Sequence, residues 1–151
     1  MPPTNPAGVI RAAHPSDLPQ VLEIEDRCFP KQWNESQFCP ALKDVFLVYE
    51  EGDQLQGFIV VCACEVARRA VIMRVAVHPR AQGRGIASQL LAHALQLLRE
   101  KKIATVELDV EIPKTEAKRL YEKFGFKTLK VVHVDEDYEN DAFYLMQLRF
   151  A

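Results

Sequence analysis

Two glycines one residue apart, Gly83 and Gly85, stand directly before Ile86, Leu90, Leu91, Ala94, Leu97 and Leu98, whose intervals of three, four, seven and eight put them on one helical stripe. A helix is therefore expected to begin near Gly85. Glycines at a helix start leave backbone N–H groups uncovered, and the first turn carries unpaired donors and a partial positive charge, so this turn suits a phosphate. Arg80 and Arg84 add whole charges beside it. The same glycines could serve only as a tight strand-to-helix turn, since a short glycine motif alone is weak. No Gly-Lys-Ser/Thr follows, and Ser88 occupies the third position of a GxGxxG pattern, so a P-loop and a dinucleotide fingerprint are both disfavoured.

Further along, Tyr121 supplies a phenol and Asp109 a carboxylate twelve residues before it. Each has a structural alternative. Tyr121 shares an apolar stripe with Ala117, Leu120 and Phe124, and Asp109 lies between Glu107 and Glu111 on what could be a solvated acidic face. Trp33, in the bend Phe29-Pro30-Lys31-Gln32-Trp33, is either a staple closing two helices or one wall of a substrate groove.

The elements that must position these groups follow from periodicity. Residues 71–77 form a β-branched run that His78-Pro79 stops, because proline biases its predecessor away from helix and has no N–H of its own. Residues 106–112 alternate strictly, turning Val106, Leu108 and Val110 to one side and the three acids to the other, and Pro113 ends the strand. A helix from about Thr115 ends at Gly125. Earlier, residues 9–12 read as a first strand, Ser16 as the cap of a helix from Asp17 to the Cys28-Phe29-Pro30 stop, and Asn34 as the cap of a second helix. Residues 45–49 and 55–64 pair across a Glu51-Gly52-Asp53-Gln54 turn, and residues 126–134 and 143–150 supply the last strands. Strands alternating with helices and bracketed by hairpins indicate an α/β fold with a mixed sheet.

The segment Gln82-Gly83-Arg84-Gly85-Ile86-Ala87, behind Val75-Ala76-Val77-His78-Pro79, resembles the Q/R-x-x-G-x-G/A acetyl-CoA pyrophosphate loop of the GNAT superfamily of N-acyltransferases. The resemblance extends over residues 9–150 and implies a single-domain, GNAT-like mixed central sheet flanked by about four helices. It further implies that Val75, Ala76 and Val77 meet the pantetheine arm of acetyl-CoA, and that Gln82, Gly83, Arg84, Gly85, Ile86, Ala87 and Ser88 hold its pyrophosphate. Leu120-Tyr121-Glu122-Lys123-Phe124-Gly125-Phe126 resembles the L-Y-x-x-x-G-F segment whose tyrosine protonates the departing CoA sulfur.

Asp109 falls where the ribosomal-protein alanine N-acetyltransferase branch of that superfamily has a catalytic glutamate. Phe29, Pro30, Trp33 and Phe38 match the branch's F-P-x-x-W-x-x-x-x-F pattern, and Asp141-Ala142 with Met146 loosely matches its D-A-x-x-M ending. The chain departs from the branch at Lys114 in place of an asparagine and at Glu111 in place of an arginine, and Tyr138 is the nearest substitute for a tyrosine pair. The expected activity is thus acetyl transfer to a primary amine, with Tyr121 and Asp109 catalytic and Trp33 and Tyr138 against the acceptor. A ribosomal or other protein N-terminus, a small amine such as a polyamine or aminoglycoside, and a non-catalytic acyl-CoA-binding role all remain open from the residues.

Composition sets the outer limits. At 151 residues and 48% hydrophobic content the chain fits one domain over residues 9–151, preceded by a proline-rich tail, residues 1–8, expected to be flexible. Nineteen basic against 21 acidic residues leave a net charge of −2, which draws the chain toward neither nucleic acid nor an anionic membrane. Cys28, Cys39, Cys62 and Cys64 lack metal-ligand spacing and read as buried reduced thiols, in keeping with a cytoplasmic protein that needs no metal. No stretch approaches the ~18 uninterrupted apolar residues of a membrane span.

Overall fold

Periodicity becomes seven strands and four helices in the computed structural model, which describes residues 8–133 and 142–150. In chain order these are β1 (Val9–Ala12), α1 (Leu18–Cys28), α2 (Glu35–Ala41), β2 (Val45–Glu51), β3 (Gln54–Cys64), β4 (Arg69–Val77), α3 (Ile86–Glu100), β5 (Thr105–Glu111), α4 (Thr115–Lys123), β6 (Lys127–His133) and β7 (Ala142–Arg149). The strands form one mixed sheet in the order β1-β2-β3-β4-β5-β7-β6. The described residues divide into two compact units, residues 8–62 with 73–97, and residues 63–72 with 98–133 and 142–150.

In the first unit, β2 and β3 form an antiparallel hairpin registered from Val45 opposite Val61 to Glu51 opposite Gln54, with an irregularity at Tyr49/Glu50. Leu55 to Val61 are buried without alternation, as a strand covered on both faces must be. One core joins Leu18, Val21 and Ile24 of α1 and Phe38 of α2 to Phe46, Val48, Phe58 and Val60 of the hairpin. Gly57 is where this core is tightest: a Cβ there would stand 2.8 Å from the Ala76 carbonyl oxygen and 3.3 Å from Ile86 and Leu90 side chains. Its absence lets the end of β4 and the first turn of α3 lie close against β3.

Asn34 caps α2 as expected, accepting the Gln37 N–H at 3.1 Å. The start of α1 differs from expectation. Pro15–Asp17 forms a 3-10 turn behind His14, and α1 proper begins at Leu18, so Ser16 caps nothing. Asp17 is buried and accepts from Arg11 at 2.8 and 2.9 Å and from the His14 N–H at 2.7 Å, which closes the turn from inside. Arg11 also reaches Glu50 across β1–β2. The Arg11 hydrogen bond, opposed by burial, holds the Asp17 carboxyl below its ordinary pKa of 3.8. A depressed carboxylate contributes stability that is complete above the unfolded-state pKa and is lost as pH falls through the folded one. Urea unfolding should accordingly show wild type losing more stability between pH 6 and pH 3 than Asp17→Asn does; equal losses would refute this role.

In the second unit, Arg69–Val71 of β4 run parallel to Thr105–Glu107 of β5, while β5 pairs antiparallel with β7, and β7 with β6. Val106, Leu108 and Val110 are buried and Asp109 and Glu111 exposed, as the alternation predicts. The cysteines do not follow expectation. All four are thiols outside any disulfide, but Cys39, Cys62 and Cys64 are exposed and Cys28 half-buried. The buried run of β3 ends at Val61, so its last residues extend past the core that would have covered Cys62 and Cys64. Among the described residues no helix is long and apolar enough to cross a membrane.

Candidate active site

The glycine turn begins at a well-anchored strand end. The N–H of His78 donates to the Gln56 carbonyl at 2.8 Å, and its buried imidazole accepts the Arg80 N–H through Nδ1 at 3.1 Å. Burial first, and then the Arg80 charge, hold that imidazole below its ordinary pKa of 6.5. Pro79–Ala81 makes one 3-10 turn, and the Gln82 side chain donates back to the Val77 carbonyl at 3.1 Å. Gly83 and Gly85 then take φ values of 81° and 79°, conformations that L side chains rarely adopt. A Cβ on either would meet no atom within 4 Å, so conformation and not crowding calls for glycine, and the turn faces open space.

The bond from the Gln89 N–H to the Gly85 carbonyl, 3.1 Å, closes the first turn of α3 and leaves the N–H groups of Ile86, Ala87 and Ser88 ahead of it. Together with the open approach at Gly83 and Gly85, these amides fit a pyrophosphate. The two arginines are already engaged. Arg84 forms a two-pronged ion pair with Glu51, and Arg80 donates to the Gln56 side chain at 2.9 Å and the Leu55 carbonyl at 3.1 Å. Both brace the turn against the β2–β3 hairpin, so the donors the turn leaves toward open space are backbone amides.

The aromatic bend is held by residues whose roles were not foreseen. Glu25 on α1 is fully buried, and its Oε2 accepts from Arg74 of β4 at 2.9 Å and from the Trp33 N–H at 2.8 Å. The Arg74 guanidinium sits 4.1 Å from the centre of the Phe29 ring and 5.2 Å from that of Trp33. Trp33 in turn meets Phe38 edge-on at 5.2 Å. This packing is that of a staple. The signal was present in the sequence: Glu25 continues the Leu18, Val21 stripe and Arg74 interrupts an apolar strand, so each is a charge in a buried place and needs a partner.

In the second unit the three acids of β5 become distinguishable. Glu107 is paired with Arg69 and accepts from Gln147 at 3.4 Å, whereas Asp109, opposite Leu145, and Glu111, opposite Phe143, have no cationic partner among the described residues. Tyr121 is half-buried on α4, its ring edge-on to Phe126 at 5.8 Å, and its hydroxyl has no hydrogen-bond partner among the described residues. Burial pushes the phenol pKa up to about 12, so it keeps its proton at neutral pH. Tyr138 and the acidic run 135–139 lie outside the described residues.

Comparison with known proteins adds what geometry alone does not. The family model described as "Acetyltransferase (GNAT) family" matches residues 18–126. The [ribosomal protein bS18]-alanine N-acetyltransferase of Escherichia coli K12 is 28% identical over 119 residues, 78% of this chain and 79% of that one. A mycothiol acetyltransferase from Beutenbergia cavernae is 35% identical over 120 residues, 80% of this chain but 38% of the relative. The crystal structure of Ard1 from Thermoplasma volcanium superposes with a TM-score of 0.86 at 27% identity, covering 96% of this chain and 99% of that one.

Proposed function

The chain belongs to the GNAT family of acetyltransferases, and on that premise we propose that it transfers the acetyl group of acetyl-CoA to the α-amine of a protein or peptide N-terminus. A ribosomal protein is the acceptor suggested by the 28%-identical relative's name. The observation that carries the α-amine reading is the state of the β5 acids among the described residues: Glu107 is paired with Arg69, Asp109 and Glu111 have no cationic partner there, and Asp109 is the one that stands twelve residues before Tyr121.

A weak base suffices for an α-amine. With a pKa near ~7.8 roughly one in ten is neutral at pH 7, whereas a lysine near ~10.4 is neutral about once in ~2,500 molecules. Asp109, directly or through a held water, takes the amine's proton as it attacks the thioester carbonyl. The tetrahedral centre then collapses, and Tyr121 gives its proton to the departing sulfur. The amides of residues 83–88 fix the pyrophosphate, Val75, Ala76 and Val77 the pantetheine arm, and Trp33 borders the acceptor.

A small-amine acceptor is favoured by one finding, the 35%-identical relative named for mycothiol and not for a protein. The two readings separate when the protein is incubated with acetyl-CoA and a panel of N-terminal peptides and small amines, following thiol release. Peptides should react at rates set by their first residues, and more quickly as pH rises. Asp109→Asn should slow turnover most near neutral pH and recover in part at higher pH, where the amine is already neutral. Reaction with small amines while every free peptide N-terminus is ignored would sink the peptide reading.

A further inference from the structure

A basic cleft lies where β4 begins and α3 ends, whereas the glycine turn joins the end of β4 to the start of α3. A cleft of about 340 Å³ is lined there by Arg68, Arg99, Lys102, Ile103, Ala104 and Phe150. Three of the six are cations and none is an acid. Among the described residues no carboxylate pairs with Arg68, Arg99 or Lys102; the neighbouring Glu65 pairs with Lys101. Arg99 lies over the Phe150 ring at 4.8 Å, which orients its planar guanidinium. Arg68 is held by Nε donating to the Lys102 carbonyl at 3.0 Å, leaving its terminal nitrogens for another acceptor.

The backbone makes these cations unusual. Arg68 and Lys102 have φ values of 56° and 65°, and they are the two non-glycine residues with positive φ among those described. Lys102 follows α3 in the left-handed position that ends many helices: its N–H donates to the Arg99 carbonyl and the Ile103 N–H to the Leu98 carbonyl, both at 3.0 Å. Glycine is the favoured residue there, as it is where Arg68 closes the turn between β3 and β4. At two separate places, then, a conformation that favours glycine carries a long cation, and both cations border one cleft.

Cations near a helix C-terminus also offset its dipole, but that amounts to about half an elementary charge, against three whole ones here. The rest of the frame is fixed: the Arg68 carbonyl accepts from Ala104 at 2.7 Å and Thr105 at 3.2 Å, and the Phe150 N–H reaches the Ala104 carbonyl at 2.9 Å.

We propose that this cleft binds a small organic phosphate at a site separate from that of the acyl donor. Two guanidinium forks and an ammonium suit a multiply charged phosphate, whose oxygens can take paired N–H donors, better than a single carboxylate. The volume leaves room for a small organic body beside the phosphate.

The test is a titration of the 15N-labelled full chain with pyrophosphate, inorganic phosphate and acetate at constant ionic strength, following backbone amides. Pyrophosphate should shift the amides of Arg68, Lys102, Ile103, Ala104 and Phe150 saturably, and acetate should bind at least tenfold more weakly. Arg68→Gln and Arg99→Gln should each weaken pyrophosphate at these amides by about tenfold or more. Lys102→Gly should weaken it too while leaving the chain folded and at least as resistant to urea, since glycine takes that φ without strain. Shifts at residues 83–88 report the donor site separately. Absence of saturable shifts at the cleft, equal affinity in the three variants, or acetate binding as tightly as pyrophosphate would each overturn the proposal.

Discussion

Tyr121→Phe should lower turnover by ~10²–10⁴-fold, the range expected when a general acid is removed, with acetyl-CoA affinity and thermal stability nearly unchanged. The geometry makes the substitution clean. The ring is edge-on to Phe126 and the hydroxyl has no protein partner among the described residues, so losing one oxygen opens no core and orphans no hydrogen bond. Burial holds the phenol pKa up at about 12, so wild type keeps the proton across the neutral range, and any alkaline limb due to Tyr121 lies far above pH 8. Rates should be measured under saturating donor, with affinity by calorimetry. Full activity in the phenylalanine variant would return Tyr121 to a packing role.

Glu25→Ala should destabilise the protein by about 3–5 kcal/mol, the usual cost of breaking a buried ion pair by removing one partner. The carboxylate is fully enclosed, so its loss takes the counter-charge from Arg74, whose side chain is 19% exposed, and the acceptor from the Trp33 N–H. The pair is imperfect to begin with: Glu25 Oε1 and Arg74 Nε are buried without hydrogen-bond partners among the described residues. Replacing both residues by apolar ones, Glu25→Leu with Arg74→Leu, should therefore recover much of what the single change loses. Urea unfolding of wild type, both singles and the double gives the coupling directly. A loss under ~1 kcal/mol in Glu25→Ala would mean the pair is not holding the bend. If Trp33 also borders the acceptor, the double variant should raise KM for peptides more than it lowers kcat.

Much of this molecule is legible in local patterns. The alternation of residues 106–110, the helical stripe from Ile86 to Leu98 and the Asn34 cap are set by nearest neighbours, and the structure bears them out because no tertiary contact opposes them. The glycine turn was readable for the same reason: positive φ at Gly83 and Gly85 is a backbone requirement that a short segment expresses by itself.

What the sequence could not decide were pairings between distant residues. That Asp17 receives Arg11, whether Arg84 faces a ligand or Glu51, and which β5 acid is paired each depend on a partner from 6 to 38 residues away. Exposure of Cys62 and Cys64 likewise depends on where a neighbouring layer stops, not on the residues themselves. Side-chain type and period set which face an element turns inward; only the assembled sheet sets what waits there. That is why Glu25 and Arg74, two charges each out of place in its own segment, become intelligible only when α1 and β4 are brought together.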